Sequence, residues 1–263
     1  MSNGTPALDI AGLTKRYGGK TVVDDLSLRV CEGEIFGILG PNGAGKTTTV
    51  ECAEGLRRPD GGSIRVFGID PYTQRREART LVGAQLQESQ LQDKLTVAEA
   101  VRLYASFYPR PADTERLLHR LGLTDKRNTR YKKLSGGQKQ RLSISLALVG
   151  RPRLVVFDEL TTGLDPAARR ETWQLVRDLR DDGVTVLLVT HYADEAERLC
   201  DRVAIIQAGR LAACARPAEL ITAAEALGGS GLPGRVTLDD AIVALTTDRP
   251  RSAGLARTTG ETS

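Results

Sequence analysis

The sequence predicts an α/β protein with a parallel sheet at its centre. Three observations carry that expectation. Apolar runs of strand length alternate with helical patterns through the second half of the chain. Those runs are apolar at every position, which predicts burial of both sheet faces. One earlier run, Ile35 to Leu39, leads straight into a glycine-rich loop and then a helical segment.

Taken in order, Ala7 to Ile10 and Leu26 to Val30 read as strands, with Gly18-Gly19 supplying a turn between them. Ile35 to Leu39 is a third strand and Lys46 to Gly55 the helix after the glycine-rich loop. The turn Pro59-Asp60-Gly61-Gly62 precedes a strand at Ile64 to Phe67. The middle of the chain is helical. Thr96 and Glu99 form a capping box that starts a helix over Val97 to Tyr108, and Pro109 and Pro111 end it. Thr114 to Leu121 places Leu117, Leu118 and Leu121 on one face and stops at Gly122. Ser135 to Val149 is a third helix, ended by Gly150 and Pro152. Strands at Leu154 to Phe157, Val184 to Val189 and Val203 to Ile206 then alternate with helices at Ala167 to Leu179 and Ala193 to Leu199. Beyond Ala215 the signal weakens: Thr237 to Thr246 reads as one short helix, and Arg249 to Ser263 has the composition of a disordered tail.

Composition excludes several classes. The chain has 263 residues, 40% hydrophobic and 27% charged, ordinary for a globular protein with a real core. A net charge of +4 without clustered basic runs does not mark a nucleic-acid binder. No stretch reaches the ~18 apolar residues of a spanning helix. Met1 to Ile10 has no basic region followed by an apolar one, so no signal peptide is expected. Cys31, Cys52, Cys200 and Cys214 form no C-x-x-C, and only two histidines accompany them, which argues against a zinc site and for reduced thiols.

Gly40-Pro41-Asn42-Gly43-Ala44-Gly45-Lys46-Thr47 fits the phosphate-binding pattern G-x-x-x-x-G-K-[ST]. Its glycines let the backbone turn tightly and aim N–H groups at phosphate oxygens, and the following helix start adds its positive end. Lys46 is expected to reach the β- and γ-phosphates and Thr47 to place its hydroxyl on Mg²⁺. Leu154 to Glu159 is an apolar strand ending in two carboxylates, which at the carboxyl end of a parallel strand face a ligand crevice. Asp158 is expected to hold Mg²⁺ opposite Thr47, and Glu159 to polarise a water for attack on the γ-phosphate. Leu134-Ser135-Gly136-Gly137-Gln138 opens a further helix and is a second glycine-bearing anion site on physical grounds. Two such sites in one chain suit a dimer that exchanges them. Taken alone, His191 is a surface histidine and Tyr17 a strand-edge aromatic. His119 and the Lys132-Lys133 pair read as solvated.

These motifs, in this order, resemble the nucleotide-binding subunit of an ABC (ATP-binding cassette) transporter. Gly40 to Thr48 is similar to the Walker A loop, Leu154 to Glu159 to the Walker B strand, and Leu134 to Gln138 to the LSGGQ signature that sets this family apart from other P-loop ATPases. Thr162-Gly163-Leu164-Asp165 resembles the D-loop, His191 the switch histidine, and Tyr17 the aromatic that stacks on adenine. For the Q-loop, Gln85, Gln87 and Gln90 all lie near, and the segment Val82 to Glu88 aligns best with Gln87 in that role. Leu160 departs from the proline usual after the catalytic glutamate, which frees φ and restores an N–H.

The resemblance implies a P-loop NTPase (RecA-like) parallel sheet core with an antiparallel β subdomain and an inserted helical subdomain at about residues 87–150. It implies an ATP-binding domain over 1–215 and a short C-terminal extension over 216–263. It also implies ATP and Mg²⁺ as ligands and a head-to-tail homodimer, each ATP lying between Lys46 of one copy and Ser135 to Gly137 of the other. Glu159 is the implied base. His191 would steady the γ-phosphate and Tyr17 the adenine, while Gln87 would sense Mg²⁺ or the attacking water. The permease is then a separate polypeptide docking around Gln87 to Tyr108, which places this chain in the cytoplasm, peripheral on the inner face of the membrane. Gly37 to Thr49, Gly68-Ile69-Asp70-Pro71, Lys94-Leu95-Thr96-Val97 and Thr237 to Thr246 resemble, more narrowly, the ATP-binding subunits of ABC-2-type, daunorubicin-resistance-like exporters. The competing classes are a soluble ABC ATPase not coupled to transport and a P-loop protein that hydrolyses nothing. The intact Glu159 and His191 speak against the latter.

Overall fold

A computed structural model of the chain describes residues 5–85, 91–227 and 236–247. The expected disordered tail and the Q-loop glutamines Gln87 and Gln90 lie outside the described residues, as do the first four residues of the N-terminus.

Two sheets form the molecule. The first is antiparallel, with β1 (Leu8–Tyr17) between β2 (Lys20–Val30) and β4 (Gly61–Val66). The second has six strands in the order β5 (Val82–Ala84), β6 (Leu154–Asp158), β7 (Thr185–Val189), β3 (Ile35–Leu39), β8 (Arg202–Gln207) and β9 (Arg210–Ala215). Its first five strands are parallel and β9 runs antiparallel to β8. This is the predicted α/β architecture with its antiparallel β part.

The uniformly apolar strands have the expected cause. Ile35, Leu39, Val155, Phe157, Val186 and Leu188 face one hydrophobic cluster, packed with the helices. Phe36, Ile38, Val156, Leu187 and Val189 face a second cluster shared with the antiparallel sheet and α1 (Lys46–Ala53). Each strand therefore buries both faces.

Helices α3 (Val97–Ala105), α4 (Thr114–Arg120) and α5 (Gly136–Leu148) fill the stretch between β5 and β6. The capping box at Thr96 and Glu99 is present, Asp113 caps α4 through Glu115 N and Arg116 N, and Ser135 and Gln138 cap α5 reciprocally. Among these elements α3 stops at Ala105, three residues before the predicted end. The hairpin β1–β2 runs further than predicted and closes at Gly18-Gly19, with Tyr17 opposite Lys20. Among the described residues, the α-helices α2 (Arg75–Leu81) and α8 (Pro217–Ala226), the strands β5 and β9, and two short 3-10 turns at Thr124–Lys126 and Tyr131–Lys133 were not anticipated.

Register decides where the site lies. Asp158 pairs with Val189, and Ile38 pairs with the same Val189 from the other side. The chain segments following β3, β6 and β7 thus leave the sheet at one level and on one edge. They are the glycine-rich loop, the Asp158-Glu159 pair and the His191 turn.

Candidate functional site

The loop between β3 and α1 is shaped by its glycines. Gly40 has φ of 151°, and a Cβ there would stand 2.1 Å from the carbonyl oxygen of Ile206. Gly45, the N-cap of α1, has φ of 100° and a Cβ position 2.8 Å from the Val22 carbonyl oxygen. Both positions require glycine for want of space as well as for conformation. Lys46 is 8% exposed. Its Nζ donates to the Gly40 carbonyl at 2.6 Å and the Pro41 carbonyl at 3.1 Å, so the ammonium is held at the mouth of the loop. Burial draws its pKa below the ordinary value, opposed by the charges of Asp158 and Glu159.

A cavity of about 800 Å³ opens over this loop. Asn42, Gly43, Gly45, Lys46, Thr47 and Thr48 line one wall, Asp158 and Glu159 a second, and Gln85, Gly136 and Gln140 a third. Burial raises the Asp158 carboxyl above its usual range; Glu159 adds to the rise and Lys46 opposes it. Glu159 itself adopts φ of 52°, the left-handed region that few non-glycine residues occupy. Its N–H donates to the Val189 carbonyl at 2.8 Å, and its Oε1 lies 3.1 Å from His191 Nδ1. Leu160, in the place of the family's proline, is fully buried in the larger core cluster, which anchors the segment after Glu159 by packing.

Signature residues Ser135 and Gln138 are engaged with each other: Ser135 Oγ accepts from Gln138 N at 3.3 Å and Gln138 Oε1 accepts from Ser135 N at 3.0 Å. With Gly136 and Gly137 they line a second cavity of about 420 Å³ beside the first. Asp165 caps α6 (Pro166–Asp181) through the N–H groups of Ala167 and Ala168, which hold its carboxyl below the usual range. Tyr17 stands apart from the phosphate cavity. Its ring, 39% exposed, faces Lys15 Nζ at 5.5 Å and Arg57 at 5.6 Å, and the residue of its hairpin that lines the cavity is Val22.

Two cavity residues outside the quoted motifs deserve naming for their chemistry. Gln85 Oε1 and Gln140 Nε2 are buried with no hydrogen-bond partner among the described residues, and both residues line the cavity. Helical spacing was the available signal for Gln140, which follows Gly136 by four residues on α5 and so shares its face. Gln85 was visible only as a Q-loop alternative.

No group of three His, Cys, Asp or Glu residues that could hold a metal occurs among the described residues. The cavity is lined by two adjacent carboxylates (Asp158 and Glu159) and by the hydroxyl residues Thr47, Thr48 and Thr162, of which Thr47 and Asp158 are the expected ligands. Such sparse, hard oxygen donors fit Mg²⁺, which takes one or two protein ligands and completes its shell with phosphate oxygens and water.

A profile of the ABC transporter family matches residues 23–162. The chain belongs to the ABC transporter family. Within it, this is an ATP-binding, ATP-hydrolysing domain with the family's P-loop fold. Nod factor export ATP-binding protein I of Rhizobium johnstonii is 45% identical over 220 residues, 82% of this chain and 71% of that protein. The protein of the same name from Ralstonia nicotianae is 43% identical over 223 residues, covering 83% and 70%. Among solved structures, an ATP-binding subunit of an ABC transporter superposes with a TM-score of 0.79 at 29% identity, covering 91% of this chain and 99% of that one. CbiO1 from Clostridium perfringens, part of the transporter complex CbiONQ, gives 0.76 at 27% identity over 85% and 94%. A dimeric ATP-binding cassette in a post-hydrolysis state with ADP and Pi bound gives 0.71 at 27% identity over 80% and 98%.

Proposed function

We propose that this chain binds Mg²⁺-ATP, hydrolyses it between two head-to-tail copies, and so drives a separate membrane permease that exports a drug-like, lipid or other small molecule. The observation that carries the reading is the cavity that gathers Lys46, Thr47, Asp158 and Glu159. Relatives named as Nod factor exporter ATPases, and a similar chain that is part of CbiONQ, support the assignment to transport. A similar cassette solved as a dimer supports the pairing.

In this reading the backbone of Gly40 to Gly45 and the Lys46 ammonium bind the phosphates, and Thr47 and Asp158, with Gln87 from the Q-loop, hold Mg²⁺. Mg²⁺, when bound by these residues, would neutralise charge on the phosphates. Glu159 takes a proton from the attacking water as its oxygen bonds the γ-phosphorus and ADP leaves. His191, already against Glu159, steadies water and phosphate, while Tyr17 holds the adenine. Ser135, Gly136, Gly137 and Gln138 of the second copy close the nucleotide from the far side. The ATP-binding domain covers 1–215, the helical subdomain about 87–150, and 216–263 forms a short extension.

No helix among the described residues is long and apolar enough to cross a membrane. A permease of another chain would therefore supply the membrane path and hold this one at the inner face, in the cytoplasm. On α3 and just past it, Leu103 and Phe107 are 45% and 66% exposed, and Tyr104 meets Phe107 edge-on at 5.6 Å. This apolar surface lies in the segment where the permease would dock. The test is affinity purification of the tagged chain from membranes of its host, with and without ATP. A polytopic protein recovered in stoichiometric amount is the expected result. Only soluble or ribosomal partners would move the assignment to an ABC ATPase not coupled to transport.

A further inference from the structure

Glu195 is an acidic residue with no part in the chemistry above, yet it is buried. It sits on α7 (Ala193–Leu199), four residues past His191, and is 1% exposed. Its Oε1 accepts from Thr161 Oγ1 at 2.8 Å and from Trp173 Nε1 at 3.1 Å. Thr161, itself fully buried, is two residues past Glu159, and Trp173 is on α6. Its Oε2 has no partner among the described residues.

Burying a carboxyl group away from water is costly, and an apolar side chain of the same volume is often more stabilising. Its presence therefore calls for a role in geometry. The neighbouring pair supplies one. Glu159 and His191 make their 3.1 Å contact with side chains 47% and 39% exposed, where water weakens such a bond. An exposed pair of that kind does not hold two loops in register by itself. Beneath it, in the dry core, Glu195 ties the loop that follows Glu159 to the helix that follows His191. There, away from water, a hydrogen bond is stronger than at the surface.

We infer that Glu195 is a positioning residue: through Thr161, and braced by Trp173, it sets the spacing of Glu159 and His191. The inference rests on the roles given to those two residues above. It acts along a path of three contacts, from the Glu195 carboxylate to the Thr161 hydroxyl, the 159–161 backbone and the Glu159 carboxylate.

The experiment measures ATP hydrolysis by the full chain, wild type against Thr161→Val, Thr161→Ser and Glu195→Gln, with Glu159→Gln alongside. Thr161→Val keeps the shape and removes the hydroxyl; Thr161→Ser keeps the hydroxyl. Displaced catalytic groups lower kcat, so Thr161→Val is expected to lose about 10-fold or more in kcat while KM for ATP stays within about twofold. Thr161→Ser is expected to turn over like wild type. Trp173 is the only tryptophan. Its single indole N–H resonance checks that each variant is folded and shifts when its acceptor is disturbed. If Thr161→Val does not fold, Glu195→Gln carries the test, with an expected loss of about threefold or more in kcat as the carboxyl acceptor of both hydrogen bonds becomes an amide. A folded Thr161→Val with wild-type kcat, an equal loss in Thr161→Ser, or an unchanged Glu195→Gln would overturn the inference. Glu159→Gln separates the two levels. If it is inactive while Thr161→Val is fully active, the base stands and only the positioning role falls. If Glu159→Gln hydrolyses at the wild-type rate, the reading beneath the inference fails and both fall together.

Discussion

The Lys46 ammonium closes its own loop through the Gly40 and Pro41 carbonyls, so a cation stands at the phosphate cavity. Residue types of this kind are legible in a sequence because the chemistry allows few substitutes: glycine where a Cβ would strike Ile206 or Val22, lysine where a charge must meet phosphates. What was not legible depends on three-dimensional neighbours. The role of Glu195 needs Thr161 and Trp173, which lie 34 and 22 positions away in the chain. Glu54 is a similar case. It ends α1, and burial, helped by Glu51 and Asp158, raises its carboxyl to about 7 from an ordinary 4.5. The folded chain thus holds that proton more tightly than the unfolded chain does. The stability this confers is full below about pH 4.5 and is lost as pH rises through about 7. Glu54→Gln is expected to make the nucleotide-free, Mg²⁺-free chain more stable at pH 8 by on the order of 1–3 kcal/mol, and to leave it nearly unchanged at pH 4.5. Urea unfolding at the two pH values checks this, and equal shifts at both would contradict it.

At the scale of elements, strands and caps divided sharply in legibility. β3, β6 and β7 announced themselves as unbroken apolar runs because both of their faces are buried. Helix α3 is legible from a capping box that the structure contains, and α5 from the stop at Gly150 and Pro152; the capping box of α5 is a finding of the structure. β9 is alanine-rich and of weak strand propensity; it forms because the Ala208-Gly209 turn, both residues at positive φ, folds it back on β8. β5 is three residues long, and Gly83 within it leaves room for the Ala147 carbonyl of α5, a contact no local pattern reveals. The middle of β1 and β2 is polar and bulged, which hid the length of that hairpin. α9 (Leu238–Thr247) falls where one short helix is expected over Thr237 to Thr246, and its Leu238 and Ala241 belong to the same core cluster as the sheet, which the local pattern does not reveal. Leu238→Ala is therefore expected to destabilise the whole chain by about 2–5 kcal/mol. Thermal or urea unfolding checks this; a loss below about 0.5 kcal/mol, usual for a surface position, would show that α9 is not part of the core.

At the scale of the molecule, the parallel register brings three loops to one sheet edge, and the family fold follows from that placement. Fold class was readable because alternation of strands and helices leaves few topologies. The partner copy was readable only as an inference from two anion-binding motifs, since the signature residues cap their own helix and face outward into a second cavity. The central claim, ATP hydrolysed on Glu159 between two copies, meets its most direct test in one variant. Purified Glu159→Gln is mixed with Mg²⁺-ATP and followed by light scattering after size exclusion, together with phosphate release. The account predicts a nucleotide-bound dimer and phosphate release slowed by roughly 10²-fold or more. Wild-type phosphate release from the variant, or a chain that stays monomeric with ATP bound, would contradict it.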